Sequence, residues 1–168
     1  MDPIAALSAT AQIAVAIAGF AGVVAAFRSD PVHEWSEVEN FWLRLLLLNS
    51  ILPLTLSLLG LFLLSIDEVV PSLWRWCSGI ATLLLVPYAG VIVRTLARFG
   101  PGQLEAAGGT RLTSRFLVVL LAGVCAMQVW NLATLDAFWP YFGAIVAQLV
   151  GAMSQFYRLV LSPRQHAT

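Results

Sequence analysis

Apolar residues are concentrated in five long runs that alternate with short polar stretches. The runs cover roughly residues 4–27, 41–64, 73–93, 116–135 and 138–161. A helix needs about 20 mostly apolar residues to cross the hydrocarbon core of a bilayer, and each run has about that length. The pattern predicts an all-α fold, in which residues 1–168 form a single transmembrane domain, an integral membrane bundle of five transmembrane helices.

The boundary between the fourth and fifth runs leaves the number of spans open. Only Asp136 and Ala137 separate the two runs, and Pro140 follows shortly after. One continuous helix is excluded, because it would exceed the bilayer thickness and contain an interior proline. A tight turn gives five spans, which we expect, whereas a re-entrant hairpin at residues 136–140 gives four.

All nine basic residues are arginines, and they fall unevenly at the ends of the predicted helices. With the N-terminus outside and five crossings, Arg75 lies on the outer side. The inner side then holds the other eight, which are Arg28, Arg44, Arg94, Arg98, Arg111, Arg115, Arg158 and Arg164. Because membrane proteins retain basic residues in cytoplasmic loops, we expect the N-terminus outside and the C-terminus in the cytoplasm. A re-entrant hairpin keeps Arg158 and Arg164 on the same side, so charge does not decide between the two turns.

The composition agrees with a membrane protein: 60% of the residues are hydrophobic and 11% are charged, against about a quarter charged in soluble domains. The start, Met1-Asp2-Pro3, lacks the basic residues that open a signal peptide, so the first run is expected to remain as a helix. We expect a multi-pass protein of a bacterial inner (plasma) membrane. The lipid bilayer is its expected partner, and few, dispersed charges with a formal net charge of +0 argue against nucleic acid.

Small residues recur along one face of the first predicted helix. The positions on this face are Ser8, Gln12, Ala16, Gly19, Gly22 and Ala26. Steps of three and four place them on a single side of a helix, and all except Gln12 are small. Helices in lipid associate where small side chains let two backbones come close. We therefore predict a helix-packing face here.

Six of the amide and hydroxyl side chains inside the predicted helices are candidates for a polar pathway or for interhelical hydrogen bonds. They are Asn49 in the second run, Gln128 and Asn131 in the fourth, and Tyr141, Gln148 and Gln155 in the fifth. In hydrocarbon such groups need hydrogen-bond partners. They either line a polar pathway or make interhelical hydrogen bonds, and the sequence leaves both interpretations open.

Three arginines lie within or close to the inner ends of the predicted spans: Arg44, Arg94 and Arg158. They could form an anion-attracting ring at a cytoplasmic mouth. Alternatively, their long side chains reach the lipid headgroups and anchor the helices.

Catalytic chemistry finds no support in the sequence. Neither histidine lies within a run, and no paired aspartates or metal-ligand motif occur in the predicted spans, so we expect no enzyme activity, no cofactor and no metal site. The middle of each run also lacks Asp, Glu, Lys and His, which argues against proton-coupled transport.

These features favour a homo-oligomeric channel or pore-forming protein for ions or small solutes. One copy is too small to enclose a wide path, so the pore would need several copies. The alternative is a non-catalytic accessory or assembly subunit that binds a second membrane protein through the small-residue face of the first helix.

Overall fold

The computed structural model describes residues 1–27, 37–66, 71–100 and 111–161, with the backbone alone at 111–114 and 159–161. The described residues form five α-helices, which confirms the all-α prediction. They are α1 (Pro3–Phe27), α2 (Glu37–Leu64), α3 (Leu73–Arg98), α4 (Arg111–Trp130) and α5 (Phe138–Leu161). A π-helical turn, Asn131–Leu135, continues α4.

Four segments of the described chain are long and apolar enough to cross a membrane: Pro3–Phe27, Glu37–Leu64, Leu73–Arg98 and Arg115–Leu135. They place the protein in a membrane. The remaining helix, α5, is 24 residues long and is not among those four segments. Gln148 and Gln155 lie among its apolar residues.

The helix α2 packs against both α1 and α5. In α1, Leu7 lies beside Gly60 of α2, and the hydroxyls of Thr10 and Ser57 share a hydrogen bond of 3.0 Å. The residue number falls on α2 as it rises on α1, so the two helices are antiparallel. A Cβ atom at position 60 would lie only 2.8 Å from Leu7 Cδ1, so glycine allows this close approach.

The helices α4 and α5 form an antiparallel hairpin. Near the turn, Gln128 Nε2 donates to the carbonyl of Pro140 at 2.7 Å. Toward the other end, Phe116 and Arg158 line the same cavity. The two helices therefore run beside each other over nearly their whole length.

The connection between α4 and α5 is held by side-chain caps. Asn131 accepts a hydrogen bond from the backbone N–H of Ala137 at 2.9 Å and donates to the Ala137 carbonyl at 3.0 Å. Asp136 adopts a left-handed conformation with φ of 48°. Its carboxylate accepts a hydrogen bond from the backbone N–H of Arg75 at 2.9 Å. Because Arg75 lies in the first turn of α3, Asp136 caps that helix from across the bundle.

The two ends of the bundle differ in the number of arginines that they carry. At the end where α2 and α4 begin and α3 and α5 finish, the described arginine side chains are Arg44, Arg94, Arg98, Arg115 and Arg158. Arg75 lies at the opposite end, in the first turn of α3. We call the first of these the arginine-rich end.

Candidate functional site

The small-residue face of α1 lies on the outside of the bundle. Ser8 is half-buried, and the other five predicted positions, Gln12, Ala16, Gly19, Gly22 and Ala26, are exposed. A Cβ atom added at Gly19 or Gly22 would meet no atom within 4 Å. Within the chain, α1 packs through a different face, whose buried residues are Leu7, Thr10, Ala14 and Ala21. The predicted face is therefore open to lipid or to another helix.

The predicted polar residues of α5 point into the bundle. Tyr141, Gln148 and Gln155 are exposed by 0%, 5% and 2%, respectively. The Tyr141 hydroxyl donates to the carbonyl of Leu56 at 2.6 Å. This bond ties α5 to α2 in the half of the bundle farther from the arginine-rich end.

Asn49 joins three helices through its side-chain amide. Its Oδ1 accepts a hydrogen bond from the Tyr88 hydroxyl of α3 at 2.7 Å, and its Nδ2 donates to Gln155 Oε1 of α5 at 3.2 Å. Gly151 lies opposite, and a Cβ atom there would be 3.4 Å from Asn49 Nδ2. The chain Tyr88–Asn49–Gln155 therefore satisfies polar groups that would otherwise be unpaired in hydrocarbon.

The amides of α4 and its π-helical turn are also bonded within the chain. Gln128 is fully buried, and its Nε2 donates to the Pro140 carbonyl as described above. Asn131 donates to the Ser78 hydroxyl of α3 at 2.7 Å, in addition to the capping bonds at Ala137. Five of the six predicted polar residues, all but Gln148, thus make at least one hydrogen bond, which favours their interpretation as interhelical bonds.

Gln148 differs from these residues. Both amide atoms, Oε1 and Nε2, are buried and have no hydrogen-bond partner in the part of the chain that the structure describes. The residue lies near the middle of α5, far from either helix end. An unpaired amide at that depth is unfavourable, so Gln148 is a candidate to form hydrogen bonds with water or with a partner molecule.

The three predicted arginines do not lie in equivalent environments. Arg44 and Arg94 are exposed, whereas Arg158 is half-buried. The guanidinium carbon of Arg158 lies 5.0 Å from the ring centroid of Trp42, within the range of a cation–π interaction. Arg158 is therefore held between helices, while Arg44 and Arg94 extend away from the bundle.

Several bonded residues have no clear sequence signal. Tyr88 and Ser78 of α3 bond to Asn49 and Asn131, and the hydroxyls of Thr10 in α1 and Ser57 in α2 bond to each other, yet no spacing in the sequence distinguishes these four residues from other hydroxyl residues of the same helices. One usable signal exists for α1: Leu7, Ala14 and Ala21 recur two turns apart, and all three are fully buried.

The part of the chain that the structure describes contains no group of three or more His, Cys, Asp or Glu side chains placed to hold a metal ion. No known protein family, curated protein or solved structure matches the chain.

Proposed function

We propose that this protein is a non-enzymatic membrane protein whose copies assemble through the small-residue face of α1. The observation that carries the proposal is the openness of that face: Gly19 and Gly22 have free space above them, while α1 packs onto α2 by its opposite residues. Close backbone approach at small residues is a main source of helix association in lipid.

Gln12 supports a second copy as the occupant of this face. Its side chain is exposed on α1, and it takes part in none of the hydrogen bonds among the described residues. It lies about 14 Å along the helix from Pro3, at 1.5 Å per residue. An amide at that depth needs a partner. In a two-fold arrangement of two α1 helices, the same face meets itself, so Gln12 can bond to Gln12 of the neighbouring copy.

The test is the native mass of the purified protein in mild detergent. We expect a discrete oligomer for the unmodified chain and a monomer for the variant that carries Gly19→Leu and Gly22→Leu. The matched control carries Gly90→Leu and Gly123→Leu, because these two glycines lie on α3 and α4 and also have no atom within 4 Å of an added Cβ. An oligomer that survives the α1 substitutions refutes the proposal. A stoichiometric complex with a different chain indicates the accessory-subunit alternative instead.

We also propose that α5 spans the membrane, with the N-terminus outside and the C-terminus in the cytoplasm. Two features support this topology: α5 runs along α4, which is itself apolar enough to span, and arginines gather at one end of the bundle. A reporter that functions only in the cytoplasm, fused after Thr168, should be active. The same reporter fused before Met1 should be inactive. If the reporter is inactive at both termini, both termini lie outside and the number of spans is even.

A pore-forming role is the second candidate, and Gln148 is the observation that favours it. Its unpaired amide lies near the middle of α5, where it could contact water or a permeating solute. The other polar residues argue less for a pathway, because they are bonded within the chain. In reconstituted bilayers, Gln148→Leu should lower any conductance of the protein. Equal conductance of the unmodified protein and Gln148→Leu would show that Gln148 does not line a conduction pathway.

A further inference from the structure

The exposed tryptophans of the described chain lie at the end of the bundle opposite the arginine-rich end. Trp76 is the fourth residue of α3, Trp130 is the last residue of α4, and Trp139 is the second residue of α5. Their exposed fractions are 64%, 54% and 55%, respectively. Of the other two described tryptophans, Trp42 is buried near the arginine-rich end and Trp74 is half-buried. We call the end with the exposed indoles the tryptophan end.

Hydrogen bonds across the bundle hold the three exposed tryptophans at one level. Trp76 directly follows Arg75, whose backbone N–H donates to the Asp136 carboxylate at 2.9 Å. Trp130 directly precedes Asn131, whose side chain bonds to the backbone of the residue after Asp136. The third tryptophan lies three residues beyond Asp136 in the chain. At 1.5 Å per helical residue, all three indoles start within about one helical turn of the Asp136 level.

Exposed tryptophan and tyrosine side chains are absent between the two ends of the bundle in the part of the chain that the structure describes. The exposed tyrosine, Tyr157, directly precedes Arg158 at the arginine-rich end. Between the two levels, the exposed large hydrophobic residues of α3, α4 and α5 are aliphatic or methionine: Leu83, Val86, Val91, Val93, Val119, Val129, Val146, Val150 and Met153. Tryptophan and tyrosine favour the membrane–water interface, so this banding is the distribution expected around a bilayer.

The separation of the two levels is close to the thickness of a bilayer core. In α4, Trp130 is 15 residues after Arg115, and in α5, Arg158 is 19 residues after Trp139. At 1.5 Å per residue, these separations are about 22 and 28 Å. The hydrocarbon core of a typical bilayer is about 30 Å thick, and a long arginine side chain can extend outward to the headgroups. Both helices therefore carry an interfacial residue for each membrane surface.

We propose that Trp76, Trp130 and Trp139 contact the phospholipid interface of the leaflet opposite the arginine-rich end and hold the α4–α5 connection at that surface. Each indole offers an apolar ring to the acyl chains and an N–H donor to the lipid oxygens. Trp130 and Trp139 flank the connection, so both helices reach the interface on either side of Asp136. The inference rests on the proposed span of α5, because a re-entrant hairpin would place these two tryptophans within the hydrocarbon.

The test is fluorescence quenching of single-tryptophan versions of the full chain, in which every other tryptophan is replaced by phenylalanine. Each version is reconstituted into phosphatidylcholine vesicles whose acyl chains carry bromine either near the headgroup or near the bilayer centre. For the versions that keep Trp76, Trp130 or Trp139, we expect a larger loss of emission with bromine near the headgroup. The matched control keeps Trp74, which lies beside Trp76 but packs on Phe138 at a ring-centroid distance of 4.8 Å. It should lose less emission than the Trp76 version in the same vesicles.

Two results would overturn the proposal, and they differ in what they say about α5. Stronger quenching of Trp130 and Trp139 by bromine near the bilayer centre would mean a re-entrant hairpin, and the proposed span of α5 would fail as well. Quenching of the three indoles by neither lipid would mean that they contact another protein chain, and the span of α5 would stand.

Single replacements keep the proposal testable if a version with several substitutions does not fold. In the otherwise unmodified chain, Trp139→Phe should reduce the emission that is lost to bromine near the headgroup. Trp42→Phe is the control and should leave that loss unchanged, because the Trp42 side chain is only 7% exposed. Equal emission losses in Trp139→Phe and the unmodified chain would count against contact between Trp139 and the interface.

Discussion

Replacing Asn49 with leucine removes the side chain that joins α2 to both α3 and α5. The substitution deletes the 2.7 Å bond from Tyr88 and the 3.2 Å bond to Gln155. Interhelical hydrogen bonds in membrane proteins contribute about 0.6 kcal/mol on average and up to about 1.7 kcal/mol. Tyr88 and Gln155 are both buried, and each would lose its bond to Asn49 in apolar surroundings. We therefore expect the free energy of unfolding to fall by about 1–3 kcal/mol.

The measurement is reversible unfolding in mixed micelles, followed by circular dichroism, for a double-mutant cycle. Its members are the unmodified chain, Asn49→Leu, Tyr88→Phe and the double variant. The coupling energy isolates the Tyr88–Asn49 bond, and we expect about 1 kcal/mol or more. Thr55→Val is the control, because Thr55 is exposed on the same helix and its hydroxyl bonds only to the carbonyl of Ile51. A coupling energy below about 0.5 kcal/mol, the range in which independent sites add, would refute the reasoning.

Three further stability predictions follow from the packing. Gly60→Ala should lower the free energy of unfolding by about 1–3 kcal/mol, because the new Cβ lies 2.8 Å from Leu7 Cδ1. The control is Gly90→Ala in the same unfolding experiment. It should be neutral or stabilising, because a Cβ atom at position 90 meets no atom within 4 Å. Asp136→Ala should cost about 1 kcal/mol by removing the cap of α3, seen as a lower Tm, and Asp136→Asn should retain most of the stability. Gln148→Leu should raise the free energy of unfolding by about 1 kcal/mol, because it replaces an amide with no partner among the described residues; a clear loss would show that Gln148 has a partner in the folded protein.

The helices themselves are readable from the sequence, because long apolar runs in this membrane protein leave few alternatives to a helix. Their ends are less readable. The third run ends at residue 93 by hydropathy, yet α3 continues to Arg98. A helix at the membrane surface can continue beyond the hydrocarbon, and arginine is a good helix former.

The candidate site is only partly readable. The sequence points to Asn49, Gln128, Asn131, Tyr141 and Gln155 as polar residues that need partners, and the structure supplies those partners. Which acceptor or donor each one meets depends on how the helices are arranged, and no local pattern encodes it.

The orientation of α1 shows a second limit. Its buried residues and its small residues each recur at helical spacing, so two faces of the same helix look suitable for packing. In a soluble protein the polar face would identify the outside. In lipid both faces are apolar, and only the tertiary structure shows that Leu7, Ala14 and Ala21 face the bundle.

The position of α5 at the end of the helix order has a consequence for how the protein is made. This helix is synthesised after α2 and α4, which provide Asn49 as the partner of Gln155 and Gln128 as the donor to the Pro140 carbonyl. Gln155 therefore enters a membrane that already contains its hydrogen-bond partner, and the order of synthesis lowers the barrier to placing this part of α5 in the bilayer.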